Sequence, residues 1–303
     1  ISMTNYFKCN NNTLYELNEL TNQDTYVDIE QSIDNCGNSV DIIVLTSHEL
    51  YSQTSNILLH SNVKDISQNN FQLRVTNKAV SGSGSNSNYD ASFSYLAFFN
   101  IAASLFPFKI NNYSLIHSGV GTTFNEKFDS ITHFKDYCYF VTPHTNDTTY
   151  NNNNSLYYYT YNKNNLVRDL TNVRGFYKDS GNGDDGGGEY FGNFCWLAIH
   201  KDISSNYTLN GNPIIEVGKG TTGSDGITTI YHSLTSLNYI ILLTPELYNA
   251  DIIVAYNHYY NVYYYDKQNA YFKVKGFHKT GEHGQHGGSI QSGLNFYWAA
   301  IKM

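Results

Sequence analysis

Two tyrosine-dense runs and one histidine-dense run hold the residues best suited to chemistry. Tyr157, Tyr158, Tyr159 and Tyr161 form the first run, and Tyr256, Tyr259, Tyr260, Tyr263, Tyr264 and Tyr265 the second. A tyrosine offers an apolar ring face for stacking on a sugar and a hydroxyl for hydrogen bonding to it. Tyr259 and Tyr263 are therefore candidate ligand contacts, although alternation along a strand sends half of each run to the opposite side. Residues 276–288 carry His278, His283 and His286, with Glu282, among glycines. Histidine is the commonest metal ligand. A His-x-x-His pair in a glycine loop has no second ligand cluster here, however. His283 and His286 are read as members of a solvated loop or of a ligand-contacting one, in which they are the candidate ligand contacts, with no metal and no other cofactor expected.

Asp184, Asp185 and Glu189 lie in a comparable loop. Their spacing lacks the alternating oxygen ligands of a calcium loop, and no paired carboxylates sit at a constrained position for glycoside hydrolysis. There is no Gly-x-Ser-x-Gly elbow and no His-Glu-x-x-His. Gly218-Lys219-Gly220-Thr221-Thr222 has the wrong spacing for a phosphate loop and reads as a turn between strands. No catalytic residue is assigned, and the expectation is a protein that is not an enzyme.

Composition narrows the class. Tyr is extreme at 28, aromatics reach 16% and charged residues only 15% of 303 residues, which excludes disorder as the main state. Strand formers outnumber good helix formers. The net charge of −8 argues against binding nucleic acid through its phosphates. No apolar run is long enough to span a membrane as a helix, and no signal peptide is visible at Ile1 to Asn5. Cys9, Cys36, Cys138 and Cys195 show no metal-ligand spacing. A Cys9–Cys36 bridge is left open, and Cys195, inside an apolar run, reads as a buried free thiol.

The elements that must position these residues repeat with a period of about 100 residues. Phe93-Ser94-Tyr95-Leu96-Ala97-Phe98, Phe194-Cys195-Trp196-Leu197-Ala198-Ile199 and Phe296-Tyr297-Trp298-Ala299-Ala300-Ile301 are three copies of one segment. Tyr95, Trp196 and Trp298, with Phe194 and Phe296, are its structural anchors. Upstream of each lies an apolar run ending at Thr46, Thr142-Pro143 or Thr244-Pro245. Gly119-Val120-Gly121-Thr122-Thr123 matches Gly218 to Thr222, and Val173-Arg174-Gly175-Phe176 matches Val274-Lys275-Gly276-Phe277, with Leu73-Arg74-Val75 as the first repeat's looser copy. The runs are short and rich in β-branched and aromatic residues, so each repeat reads as all-β. Phe194, Trp196 and Ala198 share one face, Cys195 and Leu197 the other. Both are apolar, so the closing strand is expected to be central or covered by a neighbouring domain. Residues 81–88, 180–188 and 280–292 read as loops. The expected organisation is three tandem antiparallel β-sandwich domains over 1–106, 107–206 and 207–303.

Together, the Gly-x-Gly start, the strand ending in Thr-Pro, the Val-x-Gly-Phe strand and the closing Phe-x-Trp-x-Ala-Ile strand resemble the H-type lectin-like module. That module occurs in snail and slime-mould lectins and at bacteriophage tail-fibre tips. The resemblance covers the second and third repeats. The first departs from it, with Tyr95 for Trp, Ser47 for Pro and no Gly-x-Gly-Thr-Thr. It implies a six-stranded sandwich that assembles as a trimer and binds sugar near protomer boundaries. With three copies in one chain, the expectation is a pseudo-threefold trimer of domains rather than three beads in a row. The function implied is that of a virion appendage (a tail-fibre, baseplate or head-fibre protein) that attaches to host cell-surface glycans. Other virion structural proteins or further copies of the chain are its remaining partners. The alternatives are a structural adaptor or decoration protein, whose Tyr-rich faces dock other virion proteins, and a cellular H-type lectin. The weaker first repeat is expected to serve incorporation into the virion and the other two glycan recognition.

Overall fold

A computed structural model describes residues 8–9, 12–13, 15–21, 27–30, 42–50, 57–64, 70–79, 87–88, 92–99, 109–110, 113–122, 136–144, 155–162, 171–178, 187–189, 192–234, 236–248, 258–280 and 289–303. These are mostly β-strand. The first repeat holds β1 (Lys8–Cys9), β2 (Asn12–Thr13), β3 (Tyr15–Thr21), β4 (Val27–Glu30), β5 (Ile42–Glu49), β6 (Ile57–Lys64), β7 (Asn70–Ala79), β8 (Ser87–Asn88) and β9 (Ser92–Phe99). The second holds β10 (Lys109–Ile110), β11 (Tyr113–Ser114), β12 (Ile116–Thr122), β13 (Tyr137–His144), β14 (Ser155–Asn162), β15 (Thr171–Lys178), β16 (Gly187–Glu189) and β17 (Asn193–His200), followed by the short helix α1 (Ile203–Asn206). The third holds β18 (Thr208–Leu209), β19 (Asn212–Pro213), β20 (Ile215–Thr221), β21 (Ile227–Tyr231), β22 (Tyr239–Tyr248), β23 (His258–Tyr265), β24 (Tyr271–Thr280), β25 (Ser289–Ile290) and β26 (Asn295–Lys302). A two-stranded hairpin opens each repeat: β1–β2, β10–β11 and β18–β19. In the third, Asn210 and Gly211 take φ of 52° and 80°, as a two-residue turn matched to strand twist requires.

Each large sheet is built from two repeats. One runs β12-β17-β13-β6-β7-β4, with β8 on β7; another runs β16-β15-β14-β22-β26-β20; the third runs β21-β24-β23-β5-β9-β3, with β25 on β24. Strands of one repeat pair antiparallel throughout. The repeats meet at single parallel joints, where His144 faces Val63, Thr160 faces Glu246 and Tyr264 faces Glu49. The first repeat thus joins the second, the second the third, and the third the first. The closing strands β9, β17 and β26 are central in their sheets, as the two apolar faces require. On β26, Phe296, Trp298 and Ala300 enter one buried cluster, while Tyr297, Ala299 and Ile301 enter another.

The strands β5, β13 and β22 are linked across repeats by three matching hydrogen bonds. Thr46 N donates to Thr142 Oγ1 (3.0 Å), Val141 N to Thr244 Oγ1 (3.1 Å) and Leu243 N to Ser47 Oγ (2.6 Å). The donors Thr46, Val141 and Leu243 pair with Tyr95, Trp196 and Trp298 respectively. The equivalence of the three runs is therefore one residue off the sequence alignment. Ser47, not Thr46, stands where Thr142 and Thr244 stand, and His48 takes the place of Pro143 and Pro245. A hydroxyl on that position is what the neighbouring repeat's amide needs, and serine supplies it as well as threonine.

The Gly-x-Gly segments are strand interior, not the turns expected. Gly119 pairs with Trp196 and Gly218 with Trp298. A Cβ on Gly119 would lie 2.7 Å from the Trp196 ring, and one on Gly218 would lie 2.8 Å from that of Trp298. The glycines leave room for an indole lying across the neighbouring strand. In the first repeat Asn18 faces Tyr95, so a smaller ring accompanies a larger partner, and the missing Gly-x-Gly is explained. The connectors expected to be loops also carry short strands, since β8, β16 and β25 fold back on β7, β15 and β24.

Candidate functional site

A polar row crosses each repeat beside its parallel joint. Backbone register aligns Thr21, Ser92 and Glu49 in the first repeat. It aligns Thr122, Asn193 and His144 in the second, and Thr221, Asn295 and Glu246 in the third. A hydroxyl residue, a small polar residue and a titratable residue recur at one place in three copies. The joint partners Tyr264, Val63 and Thr160 come from a different repeat each time.

The third row is the most elaborate. Glu246 is only 2% exposed, and Lys219, 45% exposed, covers it with Nζ 3.0 Å from Oε1 and 3.2 Å from Oε2. The Tyr297 hydroxyl donates to the same carboxylate at 2.5 Å. Lys219 Nζ also lies 4.6 Å from the centre of the Tyr297 ring. Beside them, Thr221 Oγ1 donates to Asn295 Oδ1 at 2.6 Å. Tyr139 of the second repeat packs edge-on against Tyr297, with centroids 5.7 Å apart. A buried carboxylate is costly unless it is paired and hydrogen-bonded, and this one is both. The strands explain the arrangement. Lys219 extends from edge strand β20 over β26 to β22, a reach that suits a long flexible side chain.

Cys138 and Cys195 are buried free thiols, as expected for Cys195. Burial pushes the Cys138 thiol up to about 12, and the nearby Glu246 charge adds to this while Lys219 opposes it. A thiol so raised is no nucleophile at neutral pH. Burial likewise raises the Tyr139 hydroxyl. What the third row offers is a set of hydrogen-bond donors and acceptors around a neutralised ion pair, with Thr221 and Lys219 exposed and Asn295 partly so. That chemistry suits a hydroxyl-rich ligand.

Tyr263, singled out from sequence, lies outside these rows. Tyr263 is fully buried (0% exposed) and packs against His48, 6.1 Å away, and Phe277, 5.4 Å away. It is thus a core residue and not a surface contact, because β23 is an interior strand covered on both faces. Tyr264 and Tyr265 are buried with it. Tyr259 pairs through its backbone with Lys279; its side chain lies outside the described residues. His283 and His286 lie outside them as well, as do Asp184, Asp185 and the Cys36 half of the open bridge. Among the described residues no three His, Cys, Asp or Glu side chains gather as a metal site would require. The anchors sit in the core: Phe194, Phe296 and Tyr95 are fully buried, Trp298 nearly so, and Trp196 partly. Glu246, Lys219 and Tyr297 were missed as a group. Their signal was the charged residue inside Gly218-Lys219-Gly220 together with the one after Thr244-Pro245, two motifs whose pairing only the sheet reveals. No protein-family model matches the chain, and neither a curated protein nor a solved structure matches it.

Proposed function

We propose that this chain is a virion appendage protein that attaches to host cell-surface glycans. Its repeats, 1–106, 107–206 and 207–303, form three β-sandwich domains arranged as a pseudo-threefold trimer. The observation that carries the reading is the polar row repeated beside all three joints with different members: Glu49, His144 and Glu246 on one scaffold. A scaffold that keeps the position and varies the chemistry suits recognition, and the exposed groups of the third row suit sugar hydroxyls. The sequence segments between equivalent strands vary in the same way, from Ser- and Gly-rich (81–86) through Gly-Asp-Asp-Gly (183–186) to Gly-Glu-His-Gly (281–284). The adaptor alternative loses part of its basis, because Tyr263, Tyr264 and Tyr265 are buried and do not form a docking face.

A glycan array probed with the intact chain tests the reading. The expected result is saturable binding, competed by a defined sugar and weakened in Asn295→Ala. A folded, monodisperse chain that binds neither the array nor host cells would overturn it and favour the adaptor.

A further inference from the structure

The third repeat carries an aromatic and charged patch made of residues outside the rows described above. Tyr231 ends edge strand β21 and is 74% exposed, the most exposed large apolar side chain among the described residues. It pairs with Tyr271 across the strands. Their ring centres are 6.1 Å apart and their planes inclined by 59°, so Tyr271 supports the edge of Tyr231 without covering its face. Two rungs along, Thr229 pairs with Lys273, and Lys273 with Tyr265. Side chains two apart on a strand share a face at a spacing of roughly 6.5–7 Å, so Lys273 follows Tyr271 on the same side. Lys273 Nζ lies 2.7 Å from Asp266 Oδ2, and Gln268 Nε2 donates to Asp266 Oδ1 at 3.0 Å. Asp266 opens the β23–β24 turn with φ of 50°, a left-handed conformation that aspartate tolerates better than most residues. These bonds hold the Asp266 carboxyl below its ordinary range.

We propose that Tyr231, Tyr271, Lys273 and Asp266 form a platform for one pyranose residue, whose ring stacks on Tyr231 while two adjacent hydroxyls engage the Asp266 carboxylate and the Lys273 ammonium. A vicinal diol presents a donor and an acceptor side by side, and a carboxylate–ammonium pair presents the complement. The open tyrosine face supplies the apolar surface that the axial hydrogens of a sugar ring require. The first repeat does not carry the patch. Because Leu73 and Val274 hold equivalent joint positions, Asn70 and Glu30 occupy in the first repeat the places of Tyr271 and Tyr231. The platform rests on the glycan-binding reading but uses none of the residues of the polar rows.

The test is saturation-transfer NMR of the intact chain with a panel of methyl glycosides of common hexoses and N-acetylhexosamines. It compares wild type, Tyr231→Ala, Asp266→Asn and Asn295→Ala, with circular dichroism as the check on folding. The expected result is a glycoside whose affinity falls about fivefold or more in Tyr231→Ala and in Asp266→Asn, as loss of an anchoring contact does. Equal affinity in wild type and both platform variants would overturn the platform alone, and a loss confined to Asn295→Ala would leave the glycan reading standing. Absence of binding by the wild type, on the panel and on the array, would overturn both.

Discussion

At Gly218 a methyl group would sit 2.8 Å from the Trp298 ring, closer than packed carbon atoms come. Gly218→Ala is expected to destabilise the chain by about 1–3 kcal/mol, the usual cost of overpacking. Urea denaturation measures it. The first repeat suggests the compensation, since Asn18 and Tyr95 fill the equivalent positions. Adding Trp298→Tyr to Gly218→Ala is therefore expected to recover part of the loss, a positive coupling in a double-mutant cycle. His48 provides a second test. Its imidazole is buried, Nε2 has no hydrogen-bond partner among the described residues, and burial lowers its pKa to about 3. The folded state therefore binds fewer protons than the unfolded state between the ordinary value of 6.5 and the lowered one. Stability from this group is full above pH 6.5 and falls with pH below it, by roughly 1.4 kcal/mol per pH unit at most. His48→Gln is expected to flatten the acid limb of the stability profile. An unchanged limb would place the acid sensitivity elsewhere.

Among the elements, β5, β13 and β22 carry the contacts between repeats. Each offers one hydroxyl oxygen as acceptor to an amide of the preceding repeat in the cycle. Thr244→Val would leave the Val141 amide without its acceptor. The expected cost is about 1–3 kcal/mol for an unsatisfied buried donor, read as a shift of the urea midpoint with an unchanged slope. Ser47→Ala is expected to cost the same, because Leu243 N depends on Ser47 in the same way. The strand positions and the central place of β9, β17 and β26 were legible in the sequence from their short apolar runs and two apolar faces. The one-residue offset at Ser47 was not. Two neighbouring hydroxyl residues, Thr46 and Ser47, fit the pattern equally well, and only the cross-repeat bond selects one. The glycines beside the tryptophans were visible as a motif, but their role was misread because a turn and a close approach both call for glycine.

For the whole molecule, sharing every large sheet between two repeats has consequences for folding. Removing residues 1–105 would strip β13 of β6 and β23 of β5, leaving two bare edges in the middle of former sheets. Such edges invite aggregation, so the truncated chain is expected to be insoluble or self-associating rather than a free two-repeat fragment. On this account, deleting the first repeat would not leave the other two as an intact unit to be assayed by themselves. A soluble monodisperse truncation would contradict the shared-sheet account. The pseudo-threefold arrangement proposed above in turn predicts a compact particle. A radius of gyration of about 19 Å is expected for a globular chain of this length, and small-angle scattering from an elongated particle would reject it.

The sequence by itself determined the all-β class, the threefold repetition and the anchor residues of the second and third repeats. Each of these is written in local apolar alternation or in near-identical segments that need no partner to be recognised. The tertiary structure alone decided which repeat pairs with which, because the parallel joints link residues far apart in the chain and leave no local pattern. It also decided the fate of the tyrosines. A run of tyrosines looks the same whether its strand lies at an edge or in the interior, and the position of β23 beside β5 put Tyr263 in the core. Glu246 and Lys219 drew attention only when β20, β26 and β22 lay side by side, since it is their burial and mutual distance, not their residue types, that make them a site.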